Sequence, residues 1–146
     1  MTAPTLIIKR KLPASINAVY AAWTDPSLMA KWFAPGTRQA TDILCDPVEG
    51  GRFRVVMLGD DGNKSTTTGV YKQVIPNRKL VHTWQWADSD VESQVTIELK
   101  SLADELTELT LTHELLSDLE SQQQHHTGWT GCLEKLDSLF AVAQSA

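Results

Sequence analysis

The sequence predicts an α+β fold: a curved antiparallel sheet of about six or seven strands around a long C-terminal helix, with two short helices after the first strand. Three observations carry this reading. Apolar residues alternate with a period of two through most of residues 38–115. They recur at helical spacing near the start and again from residue 121 onward. The chain is 146 residues long, 42% apolar and 21% charged, which suits one domain spanning 1–146 with a core of its own. That composition excludes disordered, collagen-like and coiled-coil chains.

The elements follow in order. In residues 5–12, Leu6, Ile8 and Leu12 share a face with Arg10, while Lys9 and Lys11 point the other way, as in a half-buried strand. Ser15 offers an N-cap to a helix whose Ile16, Val19, Ala22 and Trp23 fall on one side. Asp25-Pro26 starts a second short helix, with Asp as cap and Pro in the first helical position, and Pro35-Gly36 stops it. Leu28, Met29, Trp32 and Phe33 form its stripe.

Strands are expected at 39–45, 51–58, 66–75, 79–86, 91–100 and 106–115, punctuated by turns at Gly50-Gly51, Gly59-Asp60-Asp61-Gly62 and Pro76-Asn77. Their predicted inner faces carry Phe53, Val55 and Met57, then Leu80, His82, Trp84 and Trp86, then Val91, Val95, Ile97 and Leu99, then Leu109, Leu111 and His113. Such alternation describes an antiparallel sheet with one wet face. The final helix, 121–145, has Ser121 as candidate N-cap and Trp129, Leu133, Leu136, Phe140 and Ala143 on one stripe. Gly128 and Gly131 each cost about 1 kcal/mol there relative to Ala. They suit either close packing of the helix or space kept for a ligand.

Charge and cysteines narrow the functional classes. The net charge of −5 argues against a nucleic-acid partner. Residues 1–80 hold 11 basic and 6 acidic side chains, and residues 81–146 hold 2 and 12. Folding is expected to mix the two halves. Cys45 and Cys132 make neither a disulfide framework nor a zinc site and read as small apolar groups. Met1-Thr2-Ala3-Pro4 does not open as a signal peptide, and no apolar run reaches membrane-spanning length, so a reducing cytoplasm is expected, with no membrane partner.

No metal or other cofactor is expected. His125 and His126 are adjacent and point about 100° apart on a helix, and His82 and His113 lack a third ligand. No P-loop, G-x-G-x-x-G or G-x-S-x-G occurs. His82 and His113 are the candidate proton carriers, because imidazole titrates near neutrality and they share inner faces with apolar residues. Each also reads as a core histidine satisfied by a hydrogen bond. Arg10, on an inner face, needs a carboxylate partner or a rim position. One helix does not cover a curved sheet completely, so a cavity is expected between them. Its expected lining is Trp32, Phe33, Phe53, Val55, Met57, His82, Trp84, Trp86, Val95, Ile97, Leu109, Leu111, His113, Trp129 and Leu133, with Trp32 and Phe33 as candidate gates at the mouth.

Five segments carry a family resemblance: residues 19–33 (VYAAWTDPSLMAKWF); Glu49-Gly50-Gly51-Arg52-Phe53; Gly69-Val70-Tyr71 with Pro76 and Leu80-Val81-His82-Thr83-Trp84-Gln85-Trp86; Leu109-Thr110-Leu111-Thr112-His113-Glu114; and His126-Thr127-Gly128-Trp129 with Cys132-Leu133-Glu134-Lys135-Leu136. Together, and in this order, they resemble the START/birch-pollen-allergen superfamily with its helix-grip fold. Within it the chain is similar to homologues of the activator of the heat-shock-protein-90 ATPase, a family often labelled polyketide-cyclase-like. The resemblance implies an apolar small molecule in the cavity, cyclase activity in some relatives, or assistance to a chaperone. The eukaryotic namesakes use an additional N-terminal domain for that assistance, and none is read in these residues. Three functions are therefore carried forward: binding of a small aromatic or lipid-like molecule, a cyclase- or hydrolase-type enzyme in the same cavity, and a protein-interaction module, either chaperone-related or a homodimer.

Overall fold

The computed structural model describes residues 4–145, with side chains described as far as residue 141. The order is β1 (Leu6–Leu12), α1 (Ile16–Thr24), α2 (Pro26–Met29), β2 (Gln39–Cys45), β3 (Arg52–Leu58), β4 (Lys64–Ile75), β5 (Lys79–Trp86), β6 (Ser93–Ala103), β7 (Leu106–Glu114) and α3 (Leu119–Ser145). All neighbouring strands are antiparallel, and the sheet runs β1-β7-β6-β5-β4-β3-β2. The sheet is a curled half-barrel, and α3 lies along its concave side.

Local chemistry sets the element ends as the sequence suggests. The Ser15 hydroxyl accepts the Ala18 N–H at 3.2 Å and starts α1. The Asp25 carboxylate accepts from Ser27, capping α2, with Pro26 in its first turn. α3 differs from expectation. Its cap is Asp118, whose carboxylate accepts the Ser121 N–H at 2.7 Å, so the helix begins two residues before Ser121. β6 likewise begins at Ser93, which leaves Val91 outside the strand and 40% exposed. Ala143 and Met1–Ala3 lie outside the described side chains.

Three register slips shape the sheet. The register slips between Thr41 and Leu44, where Asp42 takes a positive φ of 45°. A second slip falls between Tyr71 and Gln73 in the β4–β5 pairing, and a third between Ser101 and Ala103 in the β6–β7 pairing. Elsewhere on β4, a Cβ on Gly69 would meet the Thr83 carbonyl oxygen at 1.9 Å, and the Thr83 hydroxyl accepts the Val70 N–H at 2.9 Å. Only glycine allows that approach.

The core fills the concave side. Leu12, Val19, Ala22, Val55, Val95, Leu109, Leu111, Leu133 and Leu136 are fully buried, and α1 and α3 cover the half of the sheet built from β1, β6 and β7. Arg10 shares the inward side of β1 but stays half-exposed and donates to the Lys9 carbonyl. The rim position is therefore the one it takes. The charge halves mix less than expected. β1 crosses to pair with β7, but β2, β3 and β4 stay together at the opposite edge.

Candidate functional site

At the end of the concave face left open by α1, a cavity of about 1230 Å³ opens to solvent between α3, the Phe33–Arg38 loop, β3 and β5. Ordinary small-ligand pockets measure roughly 300–1,000 Å³, so there is room for a sizeable molecule. Its floor is aromatic: Phe33, Trp84, Trp86 and Trp129, with Met57 beside them. Phe33 is the hub of this floor. Its ring centroid lies 4.7 to 6.2 Å from those of Trp32, Trp129, Phe53, Trp23 and Trp84, the spacing of favourable aromatic pairs.

Five of the fifteen expected lining residues therefore meet at the cavity: Phe33, Met57, Trp84, Trp86 and Trp129. Trp32 borders a smaller adjoining recess of about 280 Å³. Phe53, Val55, His82, Val95, Ile97, Leu109, Leu111, His113 and Leu133 lie in the packed interior away from the cavity wall. The reason is the placement of α1 and α3, which close the inner face over β6 and β7. Trp32 and Phe33 both point inward. α2 ends after one turn, and backbone bonds to Met29 O fold both side chains inward to 1% exposure. The Trp32 indole N–H also donates to Ala22 O at 3.0 Å.

α3 presents its cavity face on a stripe that apolar periodicity does not mark: Gln124, Gly128, Gly131, Lys135 and Ser138. The two glycines differ. A Cβ on Gly128 would meet nothing within 4 Å, whereas on Gly131 it would sit 3.0 Å from the Pro35 Cβ. Gly131 is thus a close-packing position and Gly128 faces open space. Gly128→Ala is expected to raise the unfolding free energy by about 0.5–1 kcal/mol through helix propensity. Gly131→Ala should gain less, because the Pro35 loop must yield. Urea unfolding of the two variants checks the difference.

Two tryptophan-to-histidine hydrogen bonds cross between helix and sheet. The Trp129 indole on α3 donates to His113 Nδ1 on β7 at 3.0 Å, and the Trp86 indole on β5 donates to His125 Nε2 on α3 at 3.0 Å. The two imidazoles meet edge to face at 4.7 Å. Accepting at one nitrogen places the proton on the other. His113 then donates from Nε2 to Ser93 Oγ at 2.7 Å, and Ser93 passes its own proton to the Trp84 carbonyl at 3.0 Å. His125 donates from Nδ1 to the Ser121 carbonyl at 2.7 Å. Both rings are neutral with both nitrogens engaged.

Burial keeps them neutral. Desolvation, reinforced by His125 and His82, pushes His113 down to about 2. Desolvation pushes His82 down to about 4, against the bond from its Nδ1 to the Thr83 carbonyl, and the ring stacks on Phe53 at 4.5 Å. His125 is also lowered, again mainly by burial. Both candidate proton carriers are 2% exposed or less and lie off the cavity wall, and the imidazole that does line the cavity is His125, outside the candidates the sequence offers. Its signal was present in the sequence: position 125 lies four residues before Trp129 on the same helix. The Cys132 thiol also borders the cavity, where burial pushes it up to about 12, so it stays protonated. Cys45 is a free thiol 3.1 Å from the Tyr71 hydroxyl. Among the described residues, no three His, Cys, Asp or Glu side chains cluster as metal ligands, and no helix is long and apolar enough to cross a membrane.

The comparisons with known proteins agree with this architecture. The family described as Activator of Hsp90 ATPase homolog 1-like protein matches residues 13–141. A crystal structure of a protein from Chromobacterium violaceum is 27% identical, covering 94% of this chain and 97% of its own, with a TM-score of 0.84. The AHSA1 protein from Silicibacter pomeroyi is 25% identical, covering 96% and 99%, with a TM-score of 0.87. A putative protein in the dynemicin biosynthetic locus shares the fold at 23% identity and a TM-score of 0.73; the match covers 92% of this chain and 46% of that one. No curated protein matches the sequence.

Proposed function

This chain belongs to the Activator of Hsp90 ATPase homolog 1-like family, and from that premise we propose that it binds a small apolar molecule, aromatic or lipid-like, in the cavity between α3 and the sheet. The observation that carries the reading is the aromatic lining of Phe33, Trp84, Trp86 and Trp129, with Trp86 its most exposed member, beneath a helix face that keeps Gly128 clear of any neighbour within 4 Å. Apolar rings and chains gain most on such a surface. Binding without turnover is favoured over a cyclase or hydrolase, because His113 and His125 have no free ring nitrogen to exchange a proton and His82 lies away from the cavity. A reducing cytoplasm fits the two free cysteines.

The test is a titration with a fluorescent fatty-acid-like probe, following energy transfer from the tryptophans. Saturation at one probe per chain, reversed by competing apolar ligands, is the expected result. Gly128→Phe, which fills the open space, is expected to weaken the probe by about tenfold or more while keeping the fold. Val95 would not serve as the filling position: it is fully buried opposite His82 and His113 in the sheet register, so a larger side chain there overpacks the core. Absence of saturable binding by folded protein, or normal binding by Gly128→Phe, overturns the proposal.

A further inference from the structure

Resting on the cavity reading above, we infer that the ligand is an amphiphilic acid: an apolar body on the tryptophan floor and an anionic head at Lys31, Arg38 and Lys135. These three cations, with Phe33, border both the large cavity and the adjoining recess, so they mark the junction of the two. Among the described residues, Glu134 is the single carboxylate bordering either space. No carboxylate lies within 4.0 Å of any of the three cations among the described residues. Asp61, on the β3–β4 turn, feels Arg38 only as the weakest of its influences.

The cations are therefore not placed there by ion pairing within the fold. Lys135 is held by other means. The Lys135 ammonium donates to the Ala34 carbonyl at 2.5 Å and to the Arg38 carbonyl at 3.1 Å, which ties α3 to the loop and leaves one of its donors over. Arg38 carries a planar fork suited to a carboxylate. A neutral apolar ligand beside the half-buried Lys135 ammonium would displace water from its remaining donor and give nothing back, which costs free energy. A carboxylate offsets that cost. The chain as a whole carries −5, so an attraction for anions here is local to the junction.

The experiment compares dodecanoate, dodecanol and dodecylamine below their micelle concentrations, each displacing the fluorescent probe from the folded full chain. Dodecanoate is expected to bind about tenfold or more tightly than dodecanol, with dodecylamine weakest, and added salt should shrink the gap. In the double variant Lys31→Gln with Arg38→Gln, both exposed positions, the ratio of dodecanoate to dodecanol affinity should fall about threefold or more, the remainder coming from Lys135. Equal binding of dodecanoate and dodecanol by the parent overturns the acid reading and leaves the apolar cavity standing. A preference undiminished in the double variant overturns the head-group assignment. Failure of all three to displace the probe, or of the probe to bind, overturns the cavity reading itself.

Discussion

His113→Ala is expected to lower the unfolding free energy by about 3 kcal/mol or more. The ring is fully buried, so its removal opens a void of the kind that costs about 2–5 kcal/mol for a core side chain. It also leaves the Trp129 indole N–H without its acceptor in a dry setting, which adds about 1–3 kcal/mol. Ser93 fares better, since its hydroxyl keeps the Trp84 carbonyl. Trp129→Phe removes the donor instead and should cost less, because most of the ring volume remains. The double variant should be milder than the sum of the two, since both changes break one shared bond. Urea unfolding of the four proteins measures the cycle. A loss below about 1 kcal/mol for His113→Ala would show that the ring is not the buried bridge described here. Loss of an activity in this variant would accordingly report on stability, not on proton transfer.

The same residues show how far the sequence is legible. The period-two alternation placed all seven strands, and Asp25-Pro26 and Ser15 placed the two short helices, because those signals are local. The apolar stripe of α3, from Trp129 to Phe140, correctly marks the core side of the helix. It could not mark the cavity side. A cavity needs small or polar side chains, and on α3 these are Gln124, Gly128, Gly131, Lys135 and Ser138, spaced as regularly as the apolar ones. The spacing was present in the sequence but has no hydrophobic signal. The split of inner-face residues between core and cavity is not local at all. Val95 and Met57 alternate alike, yet one is sealed and the other borders the cavity. What separates them is where α1 and α3 lie across the sheet, which depends on crossings between elements far apart in the chain. Lys31 and Arg38 carry no sequence signal for a related reason: surface cations are common, and only the fold sets them beside an aromatic floor.

Acidification is expected to destabilise the protein steeply below pH 6.5. His82 and His113 are held well under the 6.5 of a free imidazole, at about 4 and about 2, and His125 is lowered too. The folded state therefore binds fewer protons than the unfolded chain as the pH falls through 6.5, and protons favour unfolding. Each strongly buried histidine contributes a slope approaching about 1.4 kcal/mol per pH unit. His82 stops contributing near pH 4, where the folded protein also takes up its proton, while His113 continues toward pH 2. Between about pH 6.5 and 5 the pair amounts to roughly 3 kcal/mol, a large part of a typical domain's stability. Few carboxylates titrate in that window, so the histidines dominate it. The measurement is the unfolding free energy by urea at several pH values from about 7.5 to 5. His82→Gln removes one titrating ring, so its curve should be flatter than the parent's even where its absolute stability is lower. A parent stability that stays level across this range would mean that the imidazoles are charged or exposed in the folded protein. The two indole-to-imidazole bonds that join α3 to the sheet would then not exist as described, because a doubly protonated ring has no nitrogen left to accept.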